Sequence, residues 1–391
     1  THLGGMIYSD RRSFLFSKEG LSIIRPIMLG GATSMFCGSA APPPVWLKER
    51  YGIDLDAETE ETMAELGIAP LPLRLRGDAS NRMAEAARSL GFDWQPLLKF
   101  MSPERADPFR CGARCMLGCR CRAKWSAAEY VDQAVEAGAK VVTGARVKRV
   151  IVESGRCTGV EGLHRGRSFL ARARVVVLSA GGLGSPRILQ ASGLEAGIGM
   201  AMDTTMMVYG FTDGPGLAYN PPMTWGWKHP DLEVMFSTLV DPWLNYPVVM
   251  LQKGLRYPLT WPRWGHLLGV MVKLKDDLSG ELLGDGSISK PLTISDRKRL
   301  AAAEEIGRQI LTEAGVNPDG IFTTPLRGTH PSATVRIGAQ LDTNLATDLP
   351  GLYVADASVF PEALGQPTVL TIIALARRLA GHLLVEESLL A

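Results

Sequence analysis

The apolar period changes several times along the chain, and each change predicts an element. Residues 78–90 (DASNRMAEAARSL) carry apolar side chains at helical spacing, following a weaker helical pattern that starts near Asp54. Ser126 and Glu129 have capping-box spacing. From there Tyr130, Val131, Ala134 and Val135 continue a stripe predicted to face a core, until Gly138 closes the helix. Beyond Gly138 the period falls to two, and residues 140–143, 147–153, 158–163 and 168–173 read as strands of a half-buried antiparallel meander. Residues 174–179 (RVVVLS) form a continuous branched run, which predicts a strand covered on both faces. It enters Ala180-Gly181-Gly182-Leu183-Gly184 and then a helix starting at Pro186.

From Gly199 to about Gly315 the texture is alternating and proline-rich, and it holds five of the eight tryptophans: Trp225, Trp227, Trp243, Trp261 and Trp264. This predicts an antiparallel sheet with aromatic walls, unlike the α/β segments on either side. A helix over residues 294–314 leads to GTHPSATVRIG, then GLYVADASVFPEALGQP, then TVLTIIALARRLA, a helix opened by Pro367. The chain therefore reads as α/β segments interrupted by an antiparallel α+β insertion.

Composition narrows the function classes. With 391 residues and 46% hydrophobic content the chain can bury a large core. Its 42 basic and 40 acidic residues nearly cancel, so no charge footprint marks a nucleic-acid partner. The first apolar run, residues 21–29, is broken by Arg25 and Pro26, and no segment approaches the roughly 20 apolar residues of a membrane span. Neither a signal peptide nor a transmembrane segment is read, and the expected location is cytoplasmic. The chain opens at Thr1 rather than Met, so an upstream segment or another chain is expected to complete it.

Three blocks carry chemistry. Residues 25–34 (RPIMLGGATS) bring a short apolar run to the Gly30-Gly31 pair, where backbone can approach a ligand closely. Residues 181–194 (GGLGSPRILQASGL) follow a strand as a dinucleotide-type turn does. His330 lies between Thr329 and Pro331, upstream of a strand that ends in Asp356-Ala357-Ser358. In this order the blocks resemble the glucose-methanol-choline (GMC) flavoprotein oxidoreductases over nearly the whole chain. Gly182 and Glu195 depart from the family's second signature.

The resemblance implies a Rossmann-like FAD-binding domain built from separated segments, residues 1–45, 106–198 and 318–391. It implies an α+β substrate domain with an antiparallel sheet from residues 46–105 and 199–317. Gly30, Gly31, Thr33, Val147, Gly181, Gly182, Asp356, Ala357 and Pro367 become the candidate FAD contacts. His330 becomes the candidate catalytic base, since imidazole accepts a hydroxyl proton near neutral pH. Gln366 stands near the family's second catalytic position, where it can orient an alcohol oxygen but cannot act as a base. No G-x-G-x-x-G occurs in the sequence, although the resemblance requires one for the ADP half of FAD. Another chain or an upstream segment is expected to supply that βαβ unit.

Four of the six cysteines, Cys111, Cys115, Cys119 and Cys121, are spaced C-x3-C-x3-C-x-C. The spacing is open between an iron-sulfur cluster, disulfides and reduced packing thiols, and it resembles the cysteine segment of the family's dehydrogenase branch. The expected reaction is FAD-dependent oxidation of a CH–OH group in an apolar or ring-shaped alcohol, with an electron acceptor that the sequence does not name. The competing reading is a non-catalytic or electron-relay subunit that uses the cysteines.

Overall fold

A computed structural model of the protein describes residues 14–105, 114–119 and 121–390. Its largest sheet is built around two long strands, Thr204–Phe211 (TTMMVYGF) and Leu267–Leu274 (LLGVMVKL), paired antiparallel from Thr205↔Lys273 to Phe211↔Leu267. Both are rich in branched and Met side chains, and all eight residues of Leu267–Leu274 are buried, as expected of a central strand with both faces covered. Val234–Thr238 and Trp225–His229 extend the sheet on one side, and Arg327–Gly328 and Ser22–Ile24 extend it on the other. The helix Ile294–Glu313 starts at a reciprocal capping box between Thr293 and Asp296 and buries Leu300, Ala303 and Ile310 against this sheet. At about 1.5–3 kcal/mol for each large side chain taken from water, this is the principal reservoir of folding energy.

A second core gathers around a parallel pair, Val176–Leu178 with Leu352–Val354, in register from Val176↔Leu352 to Leu178↔Val354. The helix Gly181–Ala191 follows Val176–Leu178 directly, and the helix Val369–Leu390 packs Ala374, Leu375 and Leu379 into the same core. Beside it lies the expected meander, Ala145–Glu153, Arg156–His164 and Arg167–Arg172, all antiparallel. The architecture is thus mixed α/β, with a large mixed sheet and smaller antiparallel sheets.

Several expectations are corrected. Residues 140–143 are not a strand, and the meander starts at Ala145. The stripe on the helix Ala128–Glu136 meets a core only at its start: Tyr130 packs against the Phe100–Trp125 cluster, whereas Ala134 and Val135 are exposed and no residue of the helix is fully buried. Its start is only half a capping box: Glu129 accepts from Ser126 N–H at 3.3 Å, but Glu129 N–H donates to the Ser126 carbonyl at 2.9 Å rather than to its hydroxyl. The 174–179 run forms only the three-residue strand Val176–Leu178, and Val177 is exposed rather than covered. The helix expected from Pro186 begins at Gly181, five residues earlier. Proline is tolerated inside it because the Gly182 carbonyl, which Pro186 cannot satisfy, accepts from Thr334 Oγ1 at 2.8 Å. The last helix opens at Val369, two residues beyond Pro367.

Candidate active site

The site is built where the large sheet meets the second core. The buried carboxylate of Asp276 accepts Met202 N–H at 3.0 Å and Thr204 N–H at 3.1 Å, and the Thr204 hydroxyl at 2.6 Å. These bonds grip both neighbours of Asp203 and hold it in the left-handed region, at φ 45°, where an unsupported non-glycine residue is strained. Asp203 itself is buried and points both ways. One oxygen lies 2.7 Å from His330 Nδ1, and the other accepts Gly365 N–H at 2.9 Å. The His330 loop is also fixed through its backbone, with Thr329 and His330 N–H groups both donating to Met202 O at 3.0 and 2.8 Å.

A carboxylate at Nδ1 holds the proton on that nitrogen and leaves Nε2 as the basic one. Burial and the Lys273 ammonium keep His330 below its ordinary value, against the opposing pull of Asp203. Lys273 is buried in the strand Leu267–Leu274, donates to Thr329 Oγ1 at 2.7 Å, and is itself lowered by burial. His330 is thus neutral and proton-accepting, and 26% of its side-chain surface remains accessible.

The glycine turn reaches the same loop. An added Cβ on Gly182 would stand 1.8 Å from Pro331 O, so only glycine lets the helix start approach the residue after His330. Gly181 adopts φ 79°, with open space where its Cβ would be. Its N–H is not free for an anion, however: it donates to Asp356 Oδ2 at 2.8 Å, and Ser185 Oγ donates to the same oxygen. The other Asp356 oxygen accepts Ser358 N–H at 2.8 Å. The Asp356 carboxylate therefore caps two helix starts, and it is the adjoining backbone, with Ala357 O accepting from Ala333 N–H, that faces the His330 segment.

The remaining candidates are placed as follows. Gly30 and Gly31 both have positive φ and open the turn Gly31–Ser34, with open space at the Gly31 Cβ position. Thr33 is committed internally, bonding Gly30 O and Ala127 N–H. Val147 lies in the meander, paired with Gly162 and packed against the second core. Gln366 does not turn toward His330, since its amide donates to Pro42 O at 2.7 Å; the polar partner at the imidazole is Asp203. Pro367 sits between that glutamine and the last helix.

Cys111 lies outside the described residues. Cys115 is buried, its thiol pushed up to about 12 by burial, and Cys119 and Cys121 have sulfurs 3.6 Å apart. Ligation requires thiolates, and among the described residues no group of three or more His, Cys, Asp or Glu is arranged to hold a metal. The sequence reasoning missed Asp203, Lys273 and Asp276. The one signal for Asp203 was an acid set in the apolar run GMAMDTTMMV.

The comparisons with known proteins establish the class first: the chain is an oxidoreductase of the flavoprotein type, with FAD as the implied cofactor. More particularly, it belongs to the GMC oxidoreductase family, whose models match residues 49–205 and 292–376. It is 30% identical over 366 residues to the uncharacterized protein MJ1450 of Methanocaldococcus jannaschii, covering 91% of this chain and 86% of that one. It is 27% identical over 235 residues to the uncharacterized GMC-type oxidoreductase Rv0492c of Mycobacterium tuberculosis, and 25% identical over 340 residues to the long-chain-alcohol oxidase FAO4B of Arabidopsis thaliana. Those matches cover 54% and 67% of this chain but only 37% and 44% of the relatives. The fold is similar to pyridoxine 4-oxidase from Mesorbium loti, with a TM-score of 0.67 at 15% identity, covering 94% of this chain and 87% of that one.

The residues present are compatible with FAD, the cofactor the family implies. Open space stands before Gly31 and Gly181, where side chains would otherwise intrude, and a neutral imidazole lies at the loop that the Gly181 helix start touches.

Proposed function

We propose that the protein oxidises the CH–OH group of an alcohol, with His330 Nε2 accepting the hydroxyl proton. The observation that carries this reading is the buried Asp203 carboxylate 2.7 Å from His330 Nδ1, which orients the ring and directs its basic nitrogen away from the carboxylate. Gly31, Gly181 and the backbone around Asp356 and Ala357 would hold FAD, whose bound form supplies hydride-acceptor chemistry. Burial, reinforced by the Lys273 ammonium, keeps the imidazole unprotonated before the alcohol arrives, and the Asp203 carboxylate stabilises the imidazolium that forms afterwards.

The substrate in this reading is an apolar or ring-shaped alcohol. Trp225 and Trp264 are core residues, and half-buried Trp227 packs on the same core, stacked between Phe92 and Phe236 with ring centroids 5.2 and 5.8 Å away; the aromatic content of this sheet is what supports such a substrate. Another chain or an upstream segment would supply the G-x-G-x-x-G unit for the ADP half, since the sequence itself contains none. A cluster at the cysteines forms no part of this proposal.

The test is substrate-dependent bleaching of the flavin absorbance in the FAD-loaded protein. His330→Ala is expected to retain flavin and lose about 10²–10⁴-fold in the reduction rate, and Asp203→Asn to lose activity by presenting the wrong tautomer. Bleaching at the native rate in His330→Ala would remove the imidazole from the reaction.

A further inference from the structure

Between Asp241 and Asp276 the chain runs 34 residues without an acidic side chain while carrying Lys253, Arg256 and Arg263. Its first part leaves the large sheet as an excursion made of the helix Asn245–Leu251 and the 3-10 turn Pro258–His266. The inner face of this excursion is anchored. Tyr246, Met250 and Trp264 are buried, Trp264 Nε1 donates to Asp241 O at 2.9 Å, and Tyr246 OH meets Thr260 Oγ1 at 2.6 Å.

The outer face is apolar and bare. Leu255 and Leu259 are each 80% exposed, and Leu251, Val248 and Trp243 are each about half exposed. Trp243 packs on Trp261 with centroids 4.4 Å apart, and Trp261 Nε1 donates to Trp243 O at 2.8 Å, so the two indoles brace one edge of the shelf. The cations have neutral partners: Lys253 reaches Thr323 Oγ1 at 3.4 Å, Arg256 reaches Tyr257 OH at 3.0 Å, and Arg263 lies over the Phe211 ring. Leucines pointing outward from a fixed base, flanked by indoles and unneutralised cations, have the composition of a surface that beds into the headgroup layer of a bilayer.

We infer that residues 243–263 form a docking shelf for an anionic lipid surface, with Leu251, Leu255 and Leu259 entering the acyl boundary and Lys253, Arg256 and Arg263 meeting the headgroups. Charge decides for lipid over a second copy of the chain. A two-fold interface would lay this basic patch against itself, whereas acidic headgroups neutralise it. The protein would lie on the membrane without crossing it, since among the described residues no helix is long and apolar enough to span.

The test is co-sedimentation of the full chain with phosphatidylcholine vesicles, with and without phosphatidylglycerol. Lipid docking needs no flavin, so the result is independent of the proposed oxidation. The native protein is expected to sediment with phosphatidylglycerol vesicles and to be released by raised salt. Leu255→Asp with Leu259→Asp should lower the bound fraction about tenfold or more, and Lys253→Gln with Arg256→Gln by a similar factor at low salt. Because both leucines are exposed, these variants should keep the native circular dichroism and melting profile. Native protein that stays in the supernatant with both vesicle types would overturn the inference. So would undiminished binding by the leucine variant, or a native dimer in light scattering that this variant splits, which would assign the shelf to a second copy.

Discussion

Among single residues, burial and, after it, the Lys273 ammonium act together on one imidazole, and this sets a pH window. Both hold His330 below its ordinary 6.5. Above that value the imidazole is neutral in the folded and unfolded chains alike, so it contributes no pH dependence. As pH falls below it the unfolded chain takes up the proton first, and stability declines until the folded-state value is passed. Removing the cation with Lys273→Met should therefore move the acid limb of the reduction rate to higher pH, measured by stopped-flow flavin bleaching across pH; an unmoved limb would show that burial alone sets the value. At this scale His330 was legible because it stands in a Thr-His-Pro motif that resembles a family block. Its carboxylate partner, 127 positions away, has no motif around it, and its role comes from a backbone pinned by Asp276, which no local pattern encodes.

Elements meet most tightly where the Gly181–Ala191 helix starts against the His330 loop. Gly182→Ala would drive a methyl group onto the Pro331 carbonyl, and backbone there cannot yield as a flexible side chain can. The expected cost is about 1–3 kcal/mol in urea unfolding. Gly381→Ala, in the helix Val369–Leu390 with nothing within 4 Å of the new methyl, should instead gain about 0.5–1 kcal/mol. Equal effects from the two substitutions would refute the contact. The long elements were legible: the helix Asp78–Ser89, the helix Ile294–Glu313 and the last three of the four expected meander strands. The start of the Gly181 helix was not, because proline at 186 reads locally as a boundary. What overrides it is a threonine hydroxyl 152 residues away that takes over the orphaned Gly182 carbonyl.

Over the whole molecule, the buried ammonium of Lys99 ties distant segments together. It donates to Cys37 O and Pro222 O at 2.8 Å each and to Ser39 Oγ at 2.9 Å, with no carboxylate among these partners. Burial pushes Lys99 down to about 8. Between that value and its ordinary 10.5 the unfolded chain binds the extra proton, so stability should rise with pH across this window, by at most about 3 kcal/mol. Lys99→Met should flatten the rise, as read from denaturant midpoints at pH 8 and 10; an unchanged slope would show that Lys99 is not its source. The antiparallel sheet expected over residues 199–315 is present, although its central strands are buried on both faces rather than alternating, and it also recruits Ser22–Ile24, Gln95–Pro96 and Arg327–Gly328. Two or three residues carry no period, so tertiary pairing alone decides such strands. One of them matters for anyone who handles the protein. Arg327–Gly328 is sandwiched between Ser22–Ile24 and Thr204–Phe211, three positions before the imidazole, with its guanidinium clamped on both oxygens of Asp241. A purification tag or a trimmed front end that peels Ser22–Ile24 away would slacken the tether from which His330 hangs, and would silence the protein without touching any group that meets the alcohol.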